Sequence, residues 1–246
     1  MIALVRLIAV FIFSLLMFVF GCGYCLLSPR NPKHVFTIGR LFSKFLAPVF
    51  GIKLELRLPE NAYQRGQHVY IANHQSNWDM VTVSAAVTPK VVTVGKKSLA
   101  WLPLFGQIYW LTGNILIDRA NKAKAKGTID QVVKSIKESD VSVWMFPEGT
   151  RSRGRGLLPF KTGAFHAAIG AEVPIAPIVC SSTGHLKLNR WNNGHIIVEM
   201  LPVVETQDYS KEEVRKLATH CRDLMKEKLE QLDSEVKERN QAQGIQ

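Results

Sequence analysis

No aspartate or glutamate precedes Glu55, and from Leu7 to Leu27 there is no charged side chain of either sign. What remains is a run of mostly Leu, Ile, Val, Phe and Ala, long enough as a helix to cross a bilayer core of roughly 30 Å. A cleavable signal is poorly served by this run. Arg6 is the only basic side chain ahead of it, there is no small-x-small cleavage site, and bulky Phe20 spoils the lipoprotein reading of Val19-Phe20-Gly21-Cys22. The expectation is an uncleaved membrane anchor. Arg30, Lys33, Arg40 and Lys44 follow it without an intervening acid, so the positive-inside tendency puts everything after the anchor in the cytoplasm.

Cysteine is scarce, with four residues in 246. Cys22 and Cys25 form a C-x-x-C, but inside the apolar run and without the strand and helix of a redox motif, so inert thiols are expected. Cys180 and Cys221 are isolated in sequence and imply neither a disulfide framework nor a zinc site. Also missing are H-E-x-x-H, a G-x4-G-K-S/T phosphate loop, G-x-G-x-x-G and the G-x-S-x-G elbow, and with them the usual signatures of zinc peptidase, nucleotide and serine-hydrolase chemistry. There is no internal repeat and no low-complexity segment.

Positive charge is plentiful. The formal net charge is +11, yet residues 210–246 hold eight basic and eight acidic side chains, so the excess lies entirely before residue 210. Such a field attracts nucleic acid, anionic lipid or phosphorylated substrates alike. Residues 35–51 read as a second amphipathic segment, with Arg40 and Lys44 at i, i+4 beside aromatic residues; it suits the bilayer surface or an ordinary core, and with the anchor it could form a hairpin in one leaflet.

After the turn-rich stretch from Pro59 to Gly66 the pattern alternates between short apolar runs and amphipathic stretches, which is α/β organisation. Strands are expected at 54–58, 69–72, 91–94, 115–117, 142–146, 175–180 and 196–201, and helices at 79–87, 121–139 and 162–169. Ser210 and Glu213 form an S-x-x-E capping box opening a long amphipathic helix. The expected architecture is a mixed sheet flanked by helices, with an N-terminal membrane-anchoring helix or helical hairpin. Its parts are an anchor and interfacial segment over 1–52, a catalytic α/β domain over 53–209 and a C-terminal helix over 210–246.

Two strand ends carry the candidate chemistry. The strand at 69–72 runs into Asn73-His74, with Asp79 five positions beyond the histidine. A carboxylate on one imidazole nitrogen fixes the tautomer and leaves the other free to take a proton from an alcohol. Alone, H-x4-D is met equally by chance or by an N-cap Asp near a loop His. The strand at 142–146 runs into Pro147-Glu148-Gly149-Thr150-Arg151-Ser152, where a glycine allows close backbone approach and Arg151 can fork onto a phosphate. The alternation of Arg151, Arg153 and Arg155 with Ser and Gly also occurs in RNA-binding tails, but a tail would not return at once to Pro159-Phe160-Lys161. Gly95-Lys96-Lys97-Ser98 and Ile117-Asp118-Arg119 add a third basic group, with Arg119 a candidate second phosphate ligand.

The order of these blocks, NHQSNWD, GKKS with IDR, FPEGTRS and VPIAP, resembles the glycerolipid acyltransferase family, and the likeness extends to CLLSPRNPKH and LLPFKTGAFHAA. The resemblance implies transfer of a fatty acyl group from acyl-CoA or acyl carrier protein to the sn-2 hydroxyl of lysophosphatidate. His74 and Asp79 would be catalytic, and Arg119, Glu148, Gly149, Thr150, Arg151 and Ser152 would hold the glycerol phosphate. The block Val173 to Pro177 would lie on the acyl side, although an edge strand explains its prolines equally well. It implies no metal and no bound cofactor, the acyl thioester serving as co-substrate, and membrane lipid rather than nucleic acid as partner. The place implied is the cytoplasmic face of a bacterial inner membrane.

Overall fold

The computed structural model describes residues 1–64, 66–117 and 125–245. Seven strands form one sheet: β1 (Ile52–Arg57), β2 (Val69–Ala72), β3 (Val91–Lys96), β4 (Ile115–Ile117), β5 (Ser142–Met145), β6 (Ile175–Cys180) and β7 (Gly194–Met200). Their order is β1-β7-β6-β2-β5-β3-β4. Neighbours run parallel except β6 and β7, which are antiparallel, so the sheet is mixed. The strands fall where the β-branched runs put them, to within two residues at either end.

β2 and β6 are buried at every position, as strands covered on both faces must be. The helix α1 (Ile2–Leu26) packs on α2 (Lys33–Val49) and α3 (Phe105–Leu111), and α2 also packs on β1 and β3; α4 (Ala125–Ser139), α5 (Gly163–Ala171) and α6 (Val214–Ala242) form a second group against β2, β5, β6 and β7. The chain crosses from β5 over β2 to β6, so the carboxyl ends of these three strands lie side by side. That edge is where an open α/β sheet places its site.

Three expectations change. No α-helix spans 79–87: two 3₁₀ turns, Asn77–Met80 and Val83–Ala86, stand there, because the Asp79 carboxylate turns back onto the preceding loop. The helix α3 was not expected, since seven residues behind Pro103 and a left-handed Leu104 (φ 66°) are too few to show a period. The long C-terminal helix starts at Val214; Glu213 accepts from the Ser210 backbone N–H at 3.2 Å, but only to close the turn leading in.

The apolar helix begins at Ile2 and takes in Arg6, whose side chain is buried against the domain. Its guanidinium donates to the carbonyls of Val49 at 2.9 Å, Leu188 at 2.8 Å and Trp191 at 3.0 Å. Arg6, Phe13, Gly21 and Cys25 form one buried stripe. Along it, Phe13 stacks on Phe45 with ring centroids 4.5 Å apart, and Gly21 sits close to Ile108 and Ile38. The other face, including Leu4, Phe11 and Phe20, is bare. Arg6→Met should loosen this docking by about 2 kcal/mol, because buried carbonyls lose charged donors; earlier proteolytic cleavage between residues 187 and 193, measured on the full chain, checks it.

Candidate active site

The site grows from the end of β2. Asn73 is buried, and its side-chain amide pairs with the backbone of Cys180, accepting from the N–H at 2.9 Å and donating to the carbonyl at 2.8 Å. That pairing extends the β2–β6 ladder by one residue and fixes where the chain leaves the sheet. Gln75 repeats the device, donating to the carbonyls of Cys180 and Ser181 and accepting from the Thr183 N–H at 2.9 Å. Between these two anchors His74 has little freedom.

The His74 ring stacks on Phe146, centroids 4.1 Å apart. Its Nδ1 lies 2.6 Å from Asp79 Oδ2. A buried carboxylate there can only accept, which assigns the proton to Nδ1 and leaves Nε2 with a lone pair. The same Oδ2 accepts from the backbone N–H groups of Gln75 at 2.8 Å and Ser76 at 3.2 Å, while Trp78 N–H donates to Ser76 Oγ at 3.1 Å. Asp79 is thus the far partner of a capping box and the orienter of His74 at once, so the helix-cap and catalytic readings of its position are compatible. Nε2 of His74 has no hydrogen-bond partner among the described residues.

The second loop is bonded to the first. Ser152 and Arg153 donate their backbone N–H groups to the carbonyls of His74 at 2.8 Å and Gln75 at 3.0 Å. Glu148, expected to hold phosphate, is instead turned inward and buried: Oε1 accepts from the His74 N–H at 2.6 Å and Oε2 from the Leu158 N–H at 2.9 Å. Both oxygens are committed to the backbone, and a carboxylate offers a phosphate no donor. Burial pushes its pKa up, with the two N–H bonds pulling the other way. Ser152 is likewise buried, whereas Thr150 and Arg151 are exposed at the rim. Arg119 lies outside the described residues.

Gly149 adopts φ 69°, and a Cβ there would fall 2.7 Å from Lys161 Nζ. The missing side chain is what lets the Lys161 stem lie across the loop, held by its own N–H on the Pro147 carbonyl at 2.8 Å. Lys161, exposed like Arg151, is thereby held over the loop that carries Arg151. The only hint in the sequence was the abrupt return to Pro159-Phe160-Lys161; its proximity to Gly149 comes from the fold.

α6 braces the loop after β5 and the loop after β6 from behind, Arg222 donating to the carbonyls of Leu157 and Leu158 and Asp233 accepting from Ser182 N–H and Oγ, both at 2.6 Å. On the other side, an apolar cavity of about 440 Å³ lies between α1, α2 and α3, bordered by Met17, Ile38, Phe42, Ile108 and by Met80, the neighbour of Asp79. No cluster of three or more His, Cys, Asp or Glu side chains able to hold a metal ion occurs among the described residues.

The acyltransferase family model matches residues 53–181, from β1 through the loop after β6. The chain belongs to the acyltransferase family. This acyltransferase is 59% identical over 243 residues to the 1-acyl-sn-glycerol-3-phosphate acyltransferase of Escherichia coli (strain K12), covering 98% of this chain and 99% of that one. It is 50% identical to the enzyme of the same name from Haemophilus influenzae, over 98% and 100% of the two chains. Identity to the human alpha form is 35%, over 82% of this chain and 72% of the human one. The crystal structure of the 1-acyl-sn-glycerophosphate acyltransferase of Thermotoga maritima superposes with a TM-score of 0.75 over 93% of this chain and 95% of that one; at 22% identity the likeness concerns the fold.

Proposed function

We propose that this acyltransferase moves a fatty acyl group from acyl-CoA or acyl carrier protein to the sn-2 hydroxyl of lysophosphatidate, giving phosphatidate for phospholipid biosynthesis. The observation that carries the mechanism is the 2.6 Å contact of His74 Nδ1 with buried Asp79, which leaves Nε2 as the base. Nε2 takes the hydroxyl proton as the oxygen attacks the thioester carbonyl. The tetrahedral adduct then collapses, the C–S bond breaks, and the departing sulfur recovers the proton from the imidazolium. General-base assistance is worth roughly 10²–10⁴-fold, so positioning of the two substrates supplies much of the rest.

Arg151 and Lys161 hold the glycerol phosphate in this reading, with Arg119 as a third cation, and the cavity between α1, α2 and α3 receives a fatty acyl chain. No acyl-enzyme is needed. Cys180, the thiol nearest the pair in the fold, is fully buried with its pKa pushed up by desolvation, which keeps it protonated and out of reach. The reading includes attachment to the inner membrane, and the bare apolar face of α1 supports membrane association. Because that helix is docked from Arg6 to Cys25 against one globular body, its bare face runs along the body, which favours lying in the cytoplasmic leaflet as a hairpin with α2 over crossing the bilayer.

A panel of acceptors and acyl thioesters assayed with the purified enzyme tests the reading. Lysophosphatidate should be preferred over glycerol 3-phosphate, and initial rates should give a sequential pattern; ping-pong kinetics with a trapped acyl-enzyme would sink direct transfer. Lys161→Ala and Arg151→Ala should each raise KM for lysophosphatidate about tenfold or more with a smaller change in kcat, since each removes a charge-assisted contact to phosphate worth about 1.5–3 kcal/mol.

A further inference from the structure

The loop between β6 and β7 carries two large apolar side chains that the acyl-transfer chemistry does not use. Trp191 is 73% exposed and Leu188 is 41% exposed, with Lys187 and Arg190 beside them. Residues 182–193 contain no acid. An exposed tryptophan on a soluble loop is usually an isolated event. Here the loop is built to present it.

Asn193, fully buried, closes the loop on itself, its side chain accepting from the Lys187 N–H at 2.8 Å and donating to the Lys187 carbonyl at 2.9 Å and the Phe50 carbonyl at 2.8 Å. Gly51, at φ 66°, gives the Trp191 carbonyl room, since a Cβ there would stand only 1.8 Å from that oxygen. The loop is also tied to the start of the apolar helix. Arg6 donates to the Leu188 and Trp191 carbonyls, and the Ala3 N–H reaches Asn189 Oδ1 at 3.4 Å. The loop tip is therefore held in fixed geometry against the first turns of α1.

We propose that the loop at residues 187–191 is a second membrane contact, seating Trp191 and Leu188 at the headgroup level of an anionic bilayer while Lys187 and Arg190 meet lipid phosphates. The proposal rests on the membrane attachment read above and adds a contact made by the catalytic domain itself. Tryptophan favours that depth because its ring is apolar and its N–H needs a partner. Lysine and arginine near an anionic surface gain from its potential. Arg6, through the carbonyls of Lys187, Leu188 and Trp191, sets the height of the loop relative to α1.

The test uses the full chain on vesicles containing 30 mol% phosphatidylglycerol, with wild type compared to Trp191→Phe. The difference between the two emission spectra is the signal of Trp191 alone. It should be quenched by lipids brominated near the headgroup end of the acyl chains, and shielded from aqueous iodide. Lys187→Gln together with Arg190→Gln should weaken that lipid quenching on anionic vesicles and leave it unchanged on neutral phosphatidylcholine. If wild type sediments with vesicles but Trp191 is quenched by iodide and untouched by brominated lipid, the second contact is wrong and the attachment by α1 stands. Shielding that appears only when acyl carrier protein is added would assign the loop to that acidic partner and overturn the lipid reading. Wild type that does not sediment with vesicles at all would overturn both.

Discussion

His74→Ala is expected to lower kcat by roughly 10²–10⁴-fold while leaving the protein folded and on membranes. The ring is partly exposed and packs on one face only, against Phe146, so its removal opens no deep cavity. Single-turnover assay with saturating acyl thioester and lysophosphatidate separates a loss in chemistry from one in binding. Asp79→Asn should cost less than His74→Ala in kcat but more in stability. The neutral amide replaces a carboxylate oxygen that Nδ1 and the N–H groups of Gln75 and Ser76 share, and losing a charged acceptor at three donors loosens the whole turn. An active His74→Ala enzyme would remove the general-base assignment.

Glu148→Ala should lower kcat by about 10–100-fold, corresponding to roughly 1–3 kcal/mol for stranding buried backbone donors, with KM for lysophosphatidate nearly unchanged. The reason is geometric: the carboxylate holds the N–H of His74 itself and that of Leu158, ten residues on, so it locks the His74 loop to the loop after β5. Were Glu148 a ligand of the glycerol phosphate, KM would be the parameter that moved. Glu148→Gln should fall between, since a glutamine oxygen can serve one of the two donors and its amide opposes the other.

Stability carries a matching signature. Burial raises the Glu148 pKa in the fold, so its favourable contribution is complete below the ordinary carboxylate range and is lost as pH rises through the raised value. Relative to Glu148→Gln, wild type should therefore lose stability over that window, read as a shrinking difference in thermal midpoint.

The limits of reading the chain as text are visible at particular residues. β-branched runs such as Ile175 to Cys180 declare buried strands because their composition suits a surface covered on both sides, whatever lies next to them. His74 and Asp79 lie on one short loop, and a contact five residues long needs no knowledge of the rest of the fold. The inward turn of Glu148 leaves no mark in the text, because its partners are backbone N–H groups, which carry no residue identity. Arg6 is similar: an arginine ahead of an apolar run looks like an anchor flank, and nothing in the text marks the carbonyls of Val49, Leu188 and Trp191 as its acceptors. The place of Lys161 is equally unmarked, because it depends on an empty space, the absent Cβ of Gly149.

By itself, then, the sequence determined the strands, the long helices, the class of sheet and the spacing of His74 and Asp79, because these depend on local periodicity and on residues near one another along the chain. Only the tertiary structure decided that α1 is docked along its length, that Glu148 faces inward, that the Lys161 stem lies over Gly149, and that α6 braces the loops after β5 and β6. Each of these is a contact over a long separation, frequently to backbone atoms common to every residue, and it exists only once the sheet has brought the ends of β2, β5 and β6 together.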